Sequence, residues 1–364
     1  MKAIITGGAG FIGCNAAARF LGRGNEVVLL DNLSRRGADR NYAWLEAEAA
    51  RVAEGHGGGA GAPGRRAGRG RLTLARVDVR EREAVEAVFG EHADAEVVLH
   101  LAGQVAVTTS VADPRSDFEV NALGSFNVLE AARRLPRLRA YLYTSTNKVY
   151  GGMEDVGVIV KDGRYAYGTP ELVNGVPETQ PLDFHSPYGC SKGAADQYTI
   201  DYARIYGLPA VALRQSCIYG PRQMGVEDQG WVAWFCIAAA LGRPITLYGD
   251  GMQVRDALHV SDLLDAYDRV IERIERVKGQ ALNLGGGPQH TVAIAEVPRM
   301  LERALGRPVE LRYDEWRPGD QRVFVSDIRK AQRELDWTPE IGVREGVEQL
   351  FAWVQAHTEL FQDM

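Results

Sequence analysis

Lys2-Ala3-Ile4-Ile5-Thr6-Gly7-Gly8-Ala9-Gly10-Phe11-Ile12-Gly13 is the stretch that decides the fold. Its first five residues make a short apolar run, the glycines make a turn, and an apolar-periodic stretch from Phe11 to Leu21 predicts a helix. Gly8, Gly10 and Gly13 fit G-x-G-x-x-G, and Gly7, Gly10 and Gly13 fit a G-x-x-G-x-x-G variant. Glycines let the backbone close on a pyrophosphate, and the helix N-terminus favours its charge. The next apolar run, Glu26 to Leu30, ends in Asp31, where the dinucleotide fingerprint places an acidic residue. A carboxylate there accepts hydrogen bonds from the adenosine ribose and repels a 2′-phosphate, so NAD is favoured over NADP.

Outward from this unit, strand and helix patterns alternate. Leu72 to Val77 predicts a strand ending at Asp78, where a carboxylate can touch the adenine; a helix runs on to Phe89, and Glu96 to His100 is another strand. A long amphipathic helix spans Asp117 to Arg134 with Asn121 near its start, and Ala140 to Thr144 is the next strand. Such alternation predicts an α/β fold with a doubly wound parallel Rossmann sheet, whose ligands sit at the carboxyl ends of the strands. Asp31, Asp78, Ala102 and Thr146 all follow strands in this reading. Farther on, a helix is predicted from Pro187 to Tyr206, a strand from Ala210 to Leu213, a helix from Val232 to Leu241 and a strand from Ala281 to Leu284. Ile245–Tyr248 and Gln253–Asp256 suggest a hairpin carrying Arg255. Residues 154–180 read as a polar connection. The expected division is a NAD-binding domain over 1–214, to which 252–290 returns, and a smaller mixed α/β substrate domain over 215–251 and 291–364. Residues 36–70 are expected to be a flexible insertion: Ala38–Ala53 has helical composition, and Gly55–Gly70 is too rich in Gly, Arg and Ala to bury apolar surface.

Chemistry concentrates in Thr146-Asn147-Lys148-Val149-Tyr150-Gly151 and Tyr188-Gly189-Cys190-Ser191-Lys192. On a helix, residues four apart share a face, so the Tyr188 phenol and the Lys192 ammonium are expected side by side. An adjacent ammonium lowers a phenol's pKa and makes it a usable base, with Thr146 as hydrogen-bonding partner. Taken alone, Tyr-x-x-x-Lys is a common surface pair; the preceding dinucleotide unit gives it weight.

Composition narrows the classes. The 364 residues are 45% apolar and 25% charged, an ordinary globular balance. A net charge of −6 argues against a general nucleic-acid binder. The first strand begins at Lys2, so no signal peptide is expected, and no run of eighteen apolar residues suggests a membrane span. The four cysteines lack C-x-x-C spacing and read as reduced thiols of a cytoplasmic protein; neither they nor the histidines suggest a metal site.

Several stretches carry a family resemblance: the glycine turn, His100-Leu101-Ala102-Gly103-Gln104-Val105, Ser145 to Gly151, Leu182 to Tyr198, Tyr219-Gly220-Pro221, Asp228-Gln229-Gly230-Trp231-Val232, Arg255-Asp256 and Asp320-Gln321-Arg322. In these the whole chain, the 55–70 segment apart, resembles the NAD-dependent sugar-nucleotide epimerase/dehydratase family of extended short-chain dehydrogenases/reductases. The resemblance implies NAD held by Gly7, Gly10, Phe11, Ile12, Asp31, Asn32, Ser34, Arg35, Asp78, Val79, Leu101, Ala102, Gly103, Asn121 and Lys192. It also implies Tyr188 as base, Thr146 as its partner, Lys192 lowering the Tyr188 pKa, and a CDP-sugar contacted by Gln104, Thr146, Tyr188, Gln229, Trp231, Arg255 and Arg322. Hydride would leave sugar C2 and return to the other face, with NAD regenerated and retained. A homodimer or homotetramer is also implied. Two departures stand out. Ser216-Cys217 replaces a common Asn, and Asn147-Lys148 replaces the Asp-Glu pair of the 4,6-dehydratases, which disfavours water elimination. Epimerisation at another carbon or on another nucleotide stays open, as does a non-catalytic NAD-sensing scaffold.

Overall fold

A computed structural model describes residues 1–54, 70–317 and 320–362. Seven strands form one parallel sheet in the order Ala281–Leu284, Ala210–Gln215, Ala140–Thr146, Val97–His100, Lys2–Thr6, Glu26–Leu30, Arg71–Ala75. The strand order reverses between Lys2–Thr6 and Val97–His100, the switch point at which such sheets leave a crevice. Register aligns the carboxyl ends there: Thr6 lies opposite both Leu30 and His100, His100 opposite Tyr143, and Thr146 opposite Gln215.

Side chains alternate across the sheet because a strand has a period of two. Ile5, Leu29, Leu99, Leu142, Leu213 and Leu282 share one core with helices Phe11–Gly22 and Val260–Glu272. Ile4, Val28, Val98, Tyr141, Tyr143 and Ala212 share the other with helices Arg82–Glu91, Gly124–Ala132 and Ser186–Tyr206. Both faces are covered, which is why these strands read as continuous apolar runs. A separate core joins helices Trp231–Ala240, Glu296–Leu305 and Val343–Ala356 to strand Ile245–Tyr248.

Within the 36–70 segment the helix read from composition is present over Ala38–Ala53 and contributes buried Leu45 to the first core; residues 55–69 lie outside the described residues. Three sequence expectations change. Ile245–Tyr248 and Val254–His259 do not form a hairpin. The first pairs in parallel with Leu311–Asp314, and the second with Cys217–Tyr219, Val323–Phe324 and, antiparallel, Thr291–Ala293. The helix expected from Asp117 to Arg134 runs instead as Pro114–Phe118, a wider π-type turn at Glu119–Leu123, and Gly124–Ala132. The connection over 154–180 contains a hairpin, Val158–Lys161 with Arg164–Tyr167. Its turn residues, Asp162 and Gly163, both have positive φ (53° and 73°), the geometry that Asp-Gly favours in a two-residue hairpin. Among the described residues no helix is long and apolar enough to cross a membrane.

Candidate active site

The glycine turn is built for close approach. A Cβ on Gly13 would lie 2.2 Å from the Gly7 carbonyl oxygen, and one on Gly7, whose φ is +64°, would lie 2.7 Å from the Ala102 nitrogen. Only glycine admits this packing of turn, helix start and fourth strand end, which leaves bare backbone where a dinucleotide fits. Phe11 and Ile12 open the helix behind it. The Asp31 carboxylate accepts the Ala9 N–H at 2.9 Å and the Leu33 N–H at 2.8 Å. Burial raises the Asp31 pKa while these two bonds oppose the rise. A carboxylate has about four acceptor sites, so capacity remains for ribose hydroxyls. Asn32 Nδ2 donates to Asp78 at 2.8 Å, the Ser34 hydroxyl donates to Asn32 Oδ1 at 2.7 Å, and buried Val79 packs beside Gly124.

A chain of hydrogen bonds fixes the floor of the crevice. Leu101 and Ala102 donate their N–H groups to the Thr6 hydroxyl, at 3.2 and 3.1 Å. That hydroxyl therefore donates onward to His100 Nδ1 at 2.6 Å, so His100 Nε2 carries the proton and faces Ser125 Oγ at 2.8 Å. Ser125 Oγ donates to the Asn121 carbonyl at 2.5 Å. Burial, with Lys192 nearby, pulls the His100 pKa down to about 3, and the ring is neutral. The Asn121 amide bridges Gln104, Asp117 and Ser191. The Gln104 side chain turns inward, donating to Ala106 O at 2.7 Å and Asp117 at 3.0 Å.

Thr146 ends the strand at the centre of the sheet, and Tyr188 opens the helix Ser186–Tyr206. The Thr146 hydroxyl acts on the Tyr188 phenol, and both residues are buried. The electrostatics differ from the sequence reading. Burial holds the Tyr188 pKa above its ordinary value; the Thr146 hydrogen bond and the Arg35 guanidinium oppose the rise, and Asp117 adds to it. Lys192 is held by the sheet. Its ammonium turns to the sheet edge, donating to Thr144 O at 2.5 Å and lying 4.4 Å from the centre of the Tyr143 ring. Burial lowers its pKa to about 7, against Asp196 and Asp117. Helical spacing puts Tyr188 and Lys192 on one face, and the lysine ammonium bonds the Thr144 carbonyl. A Cβ on Gly103 would lie 3.8 Å from Lys192 Nζ, so a side chain there would fill the space above the ammonium.

The catalytic helix is locked to the sheet by a buried pair. Arg214 donates through Nε and Nη2 to Asp196, at 3.1 and 3.0 Å, and Ser145 Oγ donates to the same carboxylate at 2.6 Å. Arg214 Nη1 also donates to Tyr150 Oη at 3.1 Å. None of these was singled out as a site residue in the sequence, because a buried network has no spacing signature.

The substrate-side candidates fall into separate contacts. Arg35 donates to Gln229 Oε1 across the crevice, and Trp231 Nε1 donates to Cys217 Sγ at 3.1 Å. Ser216, in the Ser216-Cys217 pair that replaces the common Asn, donates to buried Asp256 at 2.5 Å. Arg255 pairs with Asp320 at 2.5 Å. Arg322 stands apart from that pair, over the rings of Tyr165 and Trp316 at 5.3 and 5.8 Å. Tyr165 belongs to the hairpin that the sequence reading missed, although its Asp-Gly turn between apolar runs was visible. Arg317 lies 3.8 Å from the centre of the Tyr248 ring and pairs with Asp228.

The NAD dependent epimerase/dehydratase family profile matches residues 3–285. The chain is 38% identical, over 98% of its length and 100% of the relative's, to CDP-paratose 2-epimerase of Salmonella typhi. It is 29% identical to UDP-glucose 4-epimerase of Mycolicibacterium smegmatis over 95% and 96% of the two chains. Among solved structures, UDP-glucose 4-epimerase of Thermus thermophilus in complex with NAD is 31% identical, with TM-score 0.77 over 98% of this chain and 100% of that one. With the glycine cradle, Asp31 and the Thr146–Tyr188 contact on one sheet edge, these likenesses lead to one conclusion: the chain belongs to the NAD-dependent epimerase/dehydratase family and is an NAD-dependent enzyme of carbohydrate chemistry.

Proposed function

We propose that this enzyme is a nucleotide-sugar epimerase that interconverts CDP-paratose and CDP-tyvelose at sugar C2. The observation that carries the reading is the 38% end-to-end identity to CDP-paratose 2-epimerase, against 25% to 30% for the 4-epimerases and 4,6-dehydratases of other nucleotide sugars. Asn147-Lys148 supports it, since Asn cannot ionise and the acid/base pair for elimination is missing.

Bound NAD supplies the hydride acceptor and donor. The chain's own groups manage the proton and the geometry. The Tyr188 oxygen takes the proton of the C2 hydroxyl and returns it after the sugar presents its other face. Thr146 holds the same hydroxyl oxygen through its change from alcohol to ketone. In the free protein, burial opposes ionisation of Tyr188, so the positive charge of the oxidised cofactor favours the phenolate where it is needed. Asp31 and the glycine cradle keep the cofactor in place between turnovers. Gln229, Trp231, Arg255 and Arg322 contact the CDP portion.

CDP-paratose incubated in deuterated water and followed by NMR tests the reading. Conversion at C2 without solvent deuterium at that carbon is expected; no conversion would remove the substrate assignment. A second copy of the chain fits the exposed apolar face formed by Phe118, Leu123, Phe126, Tyr198, Ile205 and Tyr206, where Phe126 and Tyr198 meet edge to face at 5.7 Å. Contiguous apolar surface of this kind marks an interface. A monomer by sedimentation at micromolar concentration would refute the oligomer.

A further inference from the structure

The turn Asn147–Tyr150 directly follows Thr146, whose hydroxyl accepts the Lys148 N–H at 3.2 Å. Lys148 is thereby tied to the same oxygen that meets Tyr188. Its ammonium donates to Gln321 Oε1 at 3.3 Å and has no carboxylate within ion-pair distance among the described residues. Gln321, itself buried, donates its amide to Gly151 O at 2.6 Å, which fixes Oε1 toward Lys148. Arg255 is the neighbouring cation, and Asp320, the carboxylate whose charge reaches Lys148, is already engaged by Arg255 at 2.5 Å. Two cations therefore share one carboxylate. A lysine offers three donors, and here a neutral amide takes one. Burial and Arg255 lower the Lys148 pKa to about 8, the mark of a cation short of negative partners.

We propose that Lys148 is a specificity-determining residue that donates to the sugar-linked phosphate of the nucleotide sugar and thereby brings C2, rather than C4, to Tyr188. The inference rests on the C2 reading given above. In a nucleotide sugar, C1 carries the phosphate. C2 is its neighbour, and C4 lies across the ring. A cation whose backbone is fastened to Thr146 and whose ammonium is fixed by Gln321 would hold the phosphate on the catalytic side of the sugar, so the carbon adjacent to C1 comes within reach and the far side of the ring points away. A carboxylate at position 148 would repel that phosphate. Arg255, the cation next to Lys148, is left for the nucleoside-linked phosphate.

Calorimetric titration with nucleoside diphosphates and monophosphates tests this without depending on turnover. The wild-type protein is titrated with CDP and CMP and with the corresponding uridine, guanosine and thymidine pairs, and the pair it binds best is used. Lys148→Met should weaken the diphosphate about 10- to 100-fold and the monophosphate less than about 2-fold, with Lys148→Arg restoring most of the loss. Unchanged NAD content and thermal midpoint show that the fold is intact, and Lys148→Gln serves where Met does not fold. Equal weakening of both nucleotides, or no weakening of the diphosphate, overturns the proposal. A preference for another nucleoside, with the loss still confined to the diphosphate, sinks the CDP reading and supports Lys148. A wild-type protein that binds no nucleoside diphosphate overturns both.

Discussion

Replacing Lys192 should stabilise the NAD-free protein while destroying the site, and the gain should depend on pH in a defined way. Lys192 is 4% exposed, and its pKa falls from 10.5 to about 7 on folding. At about 1.4 kcal/mol per pH unit, keeping it charged in the fold costs on the order of 5 kcal/mol below about pH 7. Between about 7 and 10.5 the unfolded chain binds a proton that the folded chain does not, so wild-type stability rises with pH across that window. Lys192→Met removes the titration and also the donor to Thr144 O, a loss of about 1–3 kcal/mol. The variant should therefore be about 3 kcal/mol more stable than wild type near pH 6, about equal near pH 9, and less stable above about pH 10. Urea midpoints of NAD-free protein across this range provide the assay. A Lys192→Met protein less stable than wild type near pH 6, or a difference that ignores pH, refutes the reasoning that Lys192 is held against the cost of its own burial.

Tyr188→Phe keeps the ring and removes the oxygen; NAD content should hold while turnover drops about 10²- to 10⁴-fold, and a near-normal rate would exclude Tyr188 as the base. Asp31→Ala loses charge-assisted acceptors and should weaken NAD binding about 10- to 100-fold, measured by nucleotide retained after dialysis; unchanged occupancy would refute its ribose role. Arg214→Met strands the buried Asp196 carboxylate and should cost about 3–5 kcal/mol, while Arg214→Met with Asp196→Leu recovers most of it. Additive losses in that double variant, read by urea unfolding, would show that the pair is not coupled.

Much of the nucleotide half was legible because its signals are local. A glycine turn, a carboxylate at the end of the next strand and alternating apolar runs each report a backbone requirement that neighbouring residues express together. Tyr188 and Lys192 were legible as a pair for the same reason, since helical spacing is a local rule. Where the lysine ends was not, because spacing fixes where a side chain starts and packing fixes where it ends; Lys192 reaches Thr144, and Arg35, far off in the sequence, opposes the rise in the Tyr188 pKa.

The substrate half shows the same limit more strongly. Ile245–Tyr248 and Val254–His259 read as a hairpin, yet each pairs with strands from elsewhere in the chain. Local composition could not choose partners that distant. The sequence alone determined the class of fold, the cofactor and the identity of the candidate base. Tertiary structure alone decided that Gln321 and Arg255 surround Lys148, that Asp196 and Arg214 clamp the helix Ser186–Tyr206 to the sheet, and that Ser216 bonds buried Asp256. The physical reason is that turns and helices are governed by residues a few positions apart, whereas the charge, burial and hydrogen bonding that set a side chain's chemistry come from segments the chain brings together only on folding.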